Sequence, residues 1–421
     1  MFVVLLTLNI VLPTILQPAK MVLTGVIFGL VVVAKETWAT RSSAHQTALD
    51  IWAVLFSATG LAWSVAGLVR GNPGAAAMLP VHTAYPLLAV VLWRMARPGD
   101  LAKLSKWLVL SAALVLATQA LFIASFFDLD GGFFFQFFLN SLNEETAVVD
   151  STDDYLLFSL PNISSLLFTA PWLAAHTLIA KKKWAWTAML FLLSVGGLML
   201  AGRRASLLAL LAGLCVSFIA VRVNRHRAAG DITSGAFGKR LALLLLSLTL
   251  VGSLAFALGG LNADLLAERA TSIFDFSTNE SNIVRRLQFD ALVDGIAERP
   301  FLGQGLGAAA YYTRSDDAPW SYELSYVALA FNFGLLGLLW FSAGVIYVLI
   351  ELVLLVGRRG IPETERLYIA CFLAGLVAFL IANATNPYLA KFDYMWTLFI
   401  PLAFIRLYAH DAEENRRKRS R

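Results

Sequence analysis

Charged residues are scarce in this chain of 421 residues. They make up 14% of it, against about 25% in soluble globular proteins, while 58% of the residues are hydrophobic and the mean hydropathy is +0.70. This composition excludes a soluble globular protein. We therefore predict an all-α polytopic integral membrane protein.

Cysteine and histidine are also rare, with two Cys and five His in the chain. Cys215 and Cys371 lie in apolar segments far apart in sequence, and no Cys or His stands at metal-ligand spacing. We expect neither a disulfide nor a bound metal. His82 lies inside an apolar segment and has two interpretations, a packing histidine or a catalytic one.

Apolar runs of roughly 20 residues can cross a hydrocarbon core of about 30 Å as helices. The sequence contains twelve candidate runs, at 2–18, 21–34, 50–69, 74–93, 107–127, 155–180, 184–202, 205–221, 241–260, 321–350, 367–388 and 392–409. The chain begins without a basic region or a small-residue cleavage site, so we expect a retained first span and not a signal peptide.

Most of the 33 Lys and Arg residues fall on one side of these spans. Basic residues near span ends resist translocation, so this side is predicted to be cytoplasmic, with both termini on it. The predicted division is spans one to nine in 1–260, a large outer loop in 261–320, spans ten to twelve in 321–409 and a basic cytoplasmic tail in 410–421. The tail is expected to anchor on anionic lipids and not to bind nucleic acid.

The outer loop Asp128–Asp154 combines acidic residues with a phenylalanine-rich stretch at 133–138 and contains no Lys or Arg. Aromatic rings lie well at the depth of lipid headgroups, where neighbouring carboxylates stay hydrated. The loop is predicted either to frame a cavity as a surface-lying or re-entrant segment, or to stack directly on sugars.

The large outer loop contains a predicted amphipathic helix at Asn282–Glu298, with apolar residues at helical spacing and a stop at Pro300. We expect this helix to lie on the outer membrane surface. The following segment carries Gly303, Gly305 and Gly307. No Lys-Ser/Thr pair follows, so a tight, flexible turn is predicted and not a phosphate-binding loop.

Two arginine doublets fall on the outer side, against the usual charge asymmetry. Arg203 and Arg204 lie at the tip between spans seven and eight, and Arg285 and Arg286 lie near the start of the loop helix. Guanidinium groups bind phosphate bidentately and stay charged, so the doublets predict a phosphate or diphosphate at the outer rim. The alternative is that they snorkel at the interface or pair with the acidic loop.

Segments 202–208, 285–307 and 333–337 resemble, in this order, motifs of the O-antigen ligase and Wzy-type polysaccharide polymerase superfamily. The resemblance implies a GT-C-type glycosyltransferase that acts at the outer face of the bacterial inner membrane on undecaprenyl-diphosphate-linked sugars. It implies no nucleotide sugar, cofactor or metal. The implied partners are the lipid-linked glycans, inner membrane lipids, and a flippase and chain-length regulator of the same pathway. Arg204 and Arg285 match its functional arginines.

Ligases of the superfamily usually place a histidine near the start of the span that follows the large loop. This chain has no His between His226 and His410, and Glu323 lies in that region. An ionised carboxylate there could accept the proton of an attacking sugar hydroxyl, although Glu323 could also merely pair with a loop arginine. The further residues predicted to bind substrate are Arg203, Arg286, Tyr322 and Tyr326.

These features predict a polymerase that joins lipid-linked repeat units by inverting displacement. The missing histidine favours polymerisation over ligation to lipid A core. A transporter of lipid-linked sugars is a third interpretation, but span midplanes carry few charges and the two halves of the chain differ. A purely structural partner of a synthesis complex is a fourth. We predict that Arg204, Arg285 and Glu323 meet in one outward-facing cavity.

Overall fold

A computed structural model describes residues 1–33, 44–97, 99–127, 132–134, 136–137, 148–152, 155–202, 205–227, 237–257, 280–358, 360–402, 405 and 407–408. The regular structure of these residues is helical, apart from one two-stranded hairpin. The predicted all-α class therefore holds, with the hairpin as an addition that the sequence did not reveal.

The helices in chain order are α1 (Phe2–Val11), α2 (Gln17–Val33), α3 (Ala44–Val69), α4 (Ala75–Met95), α5 (Asp100–Phe126), α6 (Leu166–Ile179), α7 (Trp184–Leu200), α8 (Ala205–Arg227), α9 (Phe237–Ala257), α10 (Glu280–Glu298), α11 (Ser325–Val356) and α12 (Glu363–Asn383). The hairpin strands are β1 (Val148–Thr152) and β2 (Tyr155–Ser159). Short 3₁₀ turns span Pro161–Ser165, Tyr388–Ala390 and Phe392–Tyr394.

The chain forms two compact units, each assembled from separate stretches of sequence. Unit one comprises Met1–Leu23, Gly99–Ile273 and Val356–Phe379. Unit two comprises Thr24–Pro98, Phe274–Leu355 and Leu380–Arg421. The predicted division into 1–260, 261–320, 321–409 and a tail follows membrane topology and stays a prediction.

Several helices have the length and composition of membrane spans. Among the described residues, the segments long and apolar enough to cross a bilayer are 50–69, 100–126, 205–223, 325–356 and 363–383. Shorter apolar helices lie at 2–11, 75–90 and 184–200. The chain is an integral membrane protein, and the full number of twelve spans stays a prediction.

Two predicted spans in the first half of the chain are not continuous helices. The run 155–180 begins as β2, passes through a 3₁₀ turn that starts at Pro161, and becomes helical only at Leu166. The run 2–18 is interrupted after Val11, next to Pro13. Proline lacks an N–H and disfavours helix for the residue before it, and apolar content alone does not separate a buried strand from a helix.

The hairpin joins the end of the predicted acidic and aromatic loop, which contains β1, to the start of the predicted span 155–180, which begins with β2. Its strands pair antiparallel, from Val148 opposite Ser159 to Thr152 opposite Tyr155. Phe134 packs on a buried cluster of unit one that includes Phe122, Phe158 and Leu160. The described rings that stay exposed are Phe133 (66%) and Phe137 (50%). Both interpretations of the loop require exposed rings, and these two supply them.

Helix α6 lies at the centre of unit one, with all of its residues buried. Its Trp172 ring stacks on His176, with 5.4 Å between ring centroids, and Gly213 of α8 lies against Pro171. The guanidinium of Arg240 donates hydrogen bonds to carbonyls at the C-terminal end of α6, where helical partners are missing. Helix α6 packs against both α7 and α8. Arg203 and Arg204 lie between these two helices in the sequence.

Helix α11 of unit two is broken at Gly334, where φ is +72° and ψ is 179°. This backbone conformation is essentially restricted to glycine. A Cβ at this position would lie 2.2 Å from the carbonyl oxygen of Phe301. The motif 333–337 thus creates a break within a spanning helix, against which another segment of backbone packs.

The segment 300–305 lies along this break and bonds the backbone groups there. Four hydrogen bonds join the two segments: Leu335 N to Pro300 O (2.8 Å), Leu336 N to Phe301 O (3.3 Å), Gln304 N to Phe331 O (2.8 Å) and Gly305 N to Asn332 O (3.0 Å). Backbone polar groups at membrane depth need such partners because water is absent there. We call the segment 300–307 the clamp loop.

The clamp loop also bonds the region where α3 ends and α4 begins. The hydrogen bonds run from Leu306 N to Trp63 O (3.1 Å), Gly74 N to Gly307 O (3.0 Å), Trp63 Nε1 to Leu302 O (2.7 Å) and Asn72 Nδ2 to Gln304 O (3.1 Å). A Cβ at Gly307 would lie 2.1 Å from the carbonyl carbon of Gly74. The turn is therefore tight, as predicted, but it is a packed structural element and not a loose connection.

Replacing Gly334 with alanine is expected to destabilise the protein by about 1–3 kcal/mol or more, because the side chain would meet the Phe301 carbonyl in a strained backbone. Gly196→Ala in α7 is the matched control, since nothing lies within 4 Å of its Cβ position. Thermal unfolding in detergent measures both variants. Equal melting temperatures for the two would contradict the interpretation of Gly334.

Candidate functional site

Glu323 lies in unit two, two residues before the start of α11. Only 8% of the residue is exposed. Its backbone N–H donates to Oε1 of Gln288 on α10, at 2.9 Å. The position of the carboxylate is therefore fixed both by the beginning of a spanning helix and by the loop helix.

Each oxygen of the Glu323 carboxylate forms an ion pair with a different arginine. Oε2 lies 2.7 Å from Nε of Arg285, and Oε1 lies 2.8 Å from Nη1 of Arg314. The Arg285 side chain is 27% exposed and that of Arg314 is 55% exposed. Charge-assisted contacts of this kind are stronger than neutral hydrogen bonds, particularly where water is partly excluded. We call these three residues the Glu323 cluster.

The predicted loop helix is confirmed, as α10 spans Glu280–Glu298, and it separates the two arginines of its doublet. Arg285 points to Glu323 and also donates from Nη1 to Oδ1 of Asn282, at 3.0 Å. Arg286, one residue and about 100° further around the helix, is exposed. Within this doublet, Arg285 is therefore the arginine that joins the cluster.

The apolar residues at helical spacing in α10 fall into a buried and an exposed set. Leu292 is fully buried, whereas Ile283 (40%), Leu287 (43%) and Val293 (39%) remain exposed beside charged residues. The buried face packs through Leu292 in a cluster with Ala308, Tyr322 and Phe331. This packing orients Arg285 and Gln288 towards Glu323.

Arg314 was not identified from the sequence. It lies in the loop between the clamp loop and Glu323, nine positions before the glutamate, and no motif distinguishes it from other surface arginines. Its contact with Glu323 depends on how this loop folds back. A single sequence contains no signal of that contact.

The two predicted substrate-binding tyrosines have hydroxyl groups that bond the backbone. Tyr322, 1% exposed, accepts a hydrogen bond from the N–H of Ala310, and Tyr326 donates to the carbonyl oxygen of Leu380 at 2.7 Å. Burial raises the pKa of the Tyr322 phenol, so its hydroxyl stays protonated at physiological pH. These hydrogen bonds hold the chain in place before and after Glu323.

A small cavity of about 50 Å³ is lined in part by these two tyrosines. Polar side chains that line it include His82, Ser325, Tyr326, Asn332 and Asn383. His82 is 5% exposed and its ring packs edge-on against Phe333, with 5.2 Å between centroids. Its Nδ1 is buried and has no hydrogen-bond partner among the described residues. The packing interpretation of His82 agrees with these contacts.

Arg203 and Arg204 lie outside the described residues. Their neighbour Gly202 adopts a positive φ of +64°, and a Cβ there would lie 3.1 Å from Leu157 of β2. The meeting of Arg204 with Arg285 and Glu323 stays a prediction. Of that predicted trio, the structure brings Arg285 and Glu323 into direct contact.

The Glu323 cluster has a net positive charge, because two guanidinium groups accompany one carboxylate. Guanidinium groups can hold a diphosphate, and a carboxylate can accept a proton from a hydroxyl. A cluster of this composition can hold an anion and can accept a proton.

Residues 189–342 match the family model described as O-antigen ligase. This range includes both arginine doublets, the clamp loop, Glu323 and the break in α11. The resemblance predicted from the motifs is thereby confirmed over this part of the chain. The family comprises O-antigen ligases and related polymerases, which are membrane enzymes that act on glycans. No curated protein matches the chain.

Proposed function

Because residues 189–342 match the family model described as O-antigen ligase, we propose that this protein polymerises undecaprenyl-diphosphate-linked oligosaccharide repeat units. The reaction takes place at the periplasmic face of the bacterial inner membrane, with both termini in the cytoplasm. The polymer is an exopolysaccharide, a capsule or an O-antigen. A flippase and a chain-length regulator of the same pathway are the expected protein partners.

The observation that carries this proposal is the pairing of Glu323 with Arg285 and Arg314, at 2.7 and 2.8 Å. A diphosphate has more negative charge and more acceptor oxygens than a carboxylate, so it competes for these guanidinium groups. Transfer of one arginine to the diphosphate would release one oxygen of Glu323. That oxygen could then accept a proton.

The proposed step is an inverting displacement. A hydroxyl oxygen of one lipid-linked repeat attacks the anomeric carbon of the growing chain and forms the new glycosidic bond. The bond from that carbon to the diphosphate oxygen breaks, and undecaprenyl diphosphate leaves with the electron pair. Glu323 accepts the hydroxyl proton, while Arg285, Arg314 and Arg204 stabilise the charge on the leaving group. Arg203 and Arg286 support substrate binding, while Tyr322 and Tyr326, whose hydroxyl groups bond the backbone, hold Glu323 in position.

Ligation of a glycan to lipid A core is the second candidate, because the matched family is described as O-antigen ligase. The position of Glu323 favours polymerisation, since ligases of the superfamily usually place a histidine in that region. The two reactions share the donor and differ in the acceptor. The acceptor is therefore the quantity to vary.

The experiment incubates purified protein with lipid-linked repeat units, with and without lipid A core, and separates the products by length. Products of increasing length that are linked to undecaprenyl diphosphate, formed without lipid A core, support polymerisation. A single transfer that requires lipid A core would replace the proposal with ligation. Absence of product in both arms, with the protein folded, would contradict both.

Removal of divalent metal is expected to leave the polymerisation rate unchanged. The reason is that guanidinium groups supply the positive charge that metal ions supply in many other transferases of diphosphate-linked substrates. The measurement compares initial rates in EDTA and in Mg²⁺. A loss of activity in EDTA that Mg²⁺ restores would show that the arginines do not suffice.

A further inference from the structure

An exposed apolar surface continues from α11 onto the clamp loop. On the loop it consists of Phe301 (64% exposed) and Leu302 (57%), and on α11 of Leu335 (43%), Leu336 (54%) and Leu339 (66%). We call these five residues the rim patch. Exposed apolar residues in continuous patches mark surfaces that contact lipid or another protein.

The length of α11 gives the depth of this patch. Residues 335–356, beyond the break, form about 33 Å of helix at 1.5 Å per residue, which matches a hydrocarbon core of about 30 Å. Leu335 and Leu336 therefore lie at one edge of the core. Because Leu336 N bonds Phe301 O at 3.3 Å, Phe301 lies at the same depth.

A second span gives the same depth independently. The indole Nε1 of Trp63 on α3 donates to the carbonyl oxygen of Leu302 at 2.7 Å, and Arg70, just past the end of α3, donates to that of Gly303 at 3.1 Å. Candidate span 50–69 ends about 9 Å beyond Trp63. Tryptophan and arginine near a span end are typical of the membrane interface. Both spans thus place the clamp loop at the hydrocarbon edge.

From these observations we infer that Phe301 and Leu302 insert into the bilayer and contact lipid acyl chains, in the leaflet on the side of the large loop. The occupant is lipid, because Phe301 and Leu302 continue the exposed apolar surface of Leu335, Leu336 and Leu339, which belong to a helix long and apolar enough to span the membrane. The insertion anchors the C-terminal end of α10, which finishes at Glu298. The helix that carries Arg285 is thereby tied to the membrane surface.

Spin labelling tests the inference on the full-length protein in vesicles of phosphatidylethanolamine and phosphatidylglycerol, with no glycan substrate added. Cys215 is replaced by alanine because it is exposed and would react with the label. Cys371 is kept because it is fully buried. Nitroxide labels are attached in separate variants Phe301→Cys and Leu302→Cys. Collision with oxygen reports lipid, and collision with a water-soluble nickel chelate reports water.

Two control variants calibrate the measurement. Leu336→Cys marks the spanning helix. Tyr311→Cys is the control for a position in water, because Tyr311 is similarly exposed (73%). Its hydroxyl faces the carboxylate of Asp294, and Asp290 lies nearby. The expected result is an oxygen-to-nickel ratio at 301 and 302 close to that at 336 and several-fold above that at 311.

A ratio at both 301 and 302 equal to that at 311 would overturn the inference. So would spin–spin broadening between labels at 301, since it would place a second copy on the patch. If Phe301→Cys does not give a monodisperse protein, the label at Leu302 decides, because its side chain is similarly exposed and only its backbone bonds Trp63.

Discussion

Replacing Glu323 with glutamine is expected to lower the rate of polymerisation by about a hundredfold or more, the usual contribution of a general base. Glutamine preserves the size of the side chain but cannot accept the proton of the attacking hydroxyl. It also exchanges the two ion pairs with Arg285 and Arg314 for weaker contacts. The measurement is the initial rate of ladder formation from lipid-linked repeats at saturating substrate.

Three comparisons separate chemistry from folding. Asp316→Asn changes an exposed acid in the same loop and is expected to leave the rate unchanged. Glu323→Asp keeps the carboxylate and should retain part of the activity. The melting temperature in detergent shows whether loss of the ion pairs unfolds the site, because breaking a partly buried pair leaves an uncompensated charge. A Glu323→Gln variant with normal activity would remove Glu323 from the mechanism.

Replacing Arg285 with alanine is expected to lower the rate by roughly a hundred- to thousandfold, the typical loss when one preorganised donor to a developing negative charge is removed. The Arg285 side chain is more enclosed than that of Arg314, at 27% against 55% exposure, and Asn282 fixes its direction. Arg314→Ala should therefore cause a smaller loss. The variant Arg285→Lys should have little more activity than Arg285→Ala, because lysine lacks the planar set of donors of a guanidinium group.

Arg299→Ala is the matched control for Arg285, since Arg299 directly follows α10 and its side chain is exposed. Steady-state rates distinguish two roles of Arg285. Loss in kcat/KM and kcat together indicates an interaction made in the transition state, whereas a rise in KM alone indicates binding of the diphosphate in the ground state. Equal activity of Arg285→Ala and Arg299→Ala would contradict a role for Arg285 in the reaction.

Local features of the site were predictable from sequence where they depend on helical periodicity. The spacing of apolar residues and Pro300 predicted both ends of α10 to within two residues. The direction of Arg285 on that helix depends on which face of α10 packs against the protein. Glu323 was identified because it occupies the region in which ligases of the superfamily usually place a histidine. These signals are contained in single segments of chain.

Features that depend on contacts between distant segments were not predictable. The pairing of Arg314 with Glu323 requires a particular fold of an irregular loop. Strand β2 pairs with β1, which lies in a loop for which no strand was predicted. The hydropathy of residues 155–160 is equally compatible with strand and helix. The break at Gly334 was likewise hidden, because glycine within an apolar run is also common in straight spanning helices.

The clamp loop has a consequence for the order in which the protein is made. Its contact between Trp63 and Leu302 joins positions 239 residues apart, and its contacts with Phe331 and Asn332 require α11. Helix α3 is therefore synthesised long before its partners in the clamp loop, and the clamp loop is in turn synthesised before its partners in α11. The hydrogen bonds of the clamp loop to Phe331 and Asn332 can form only after α11 has been synthesised. The structure around Glu323 is therefore completed at a late stage of translation.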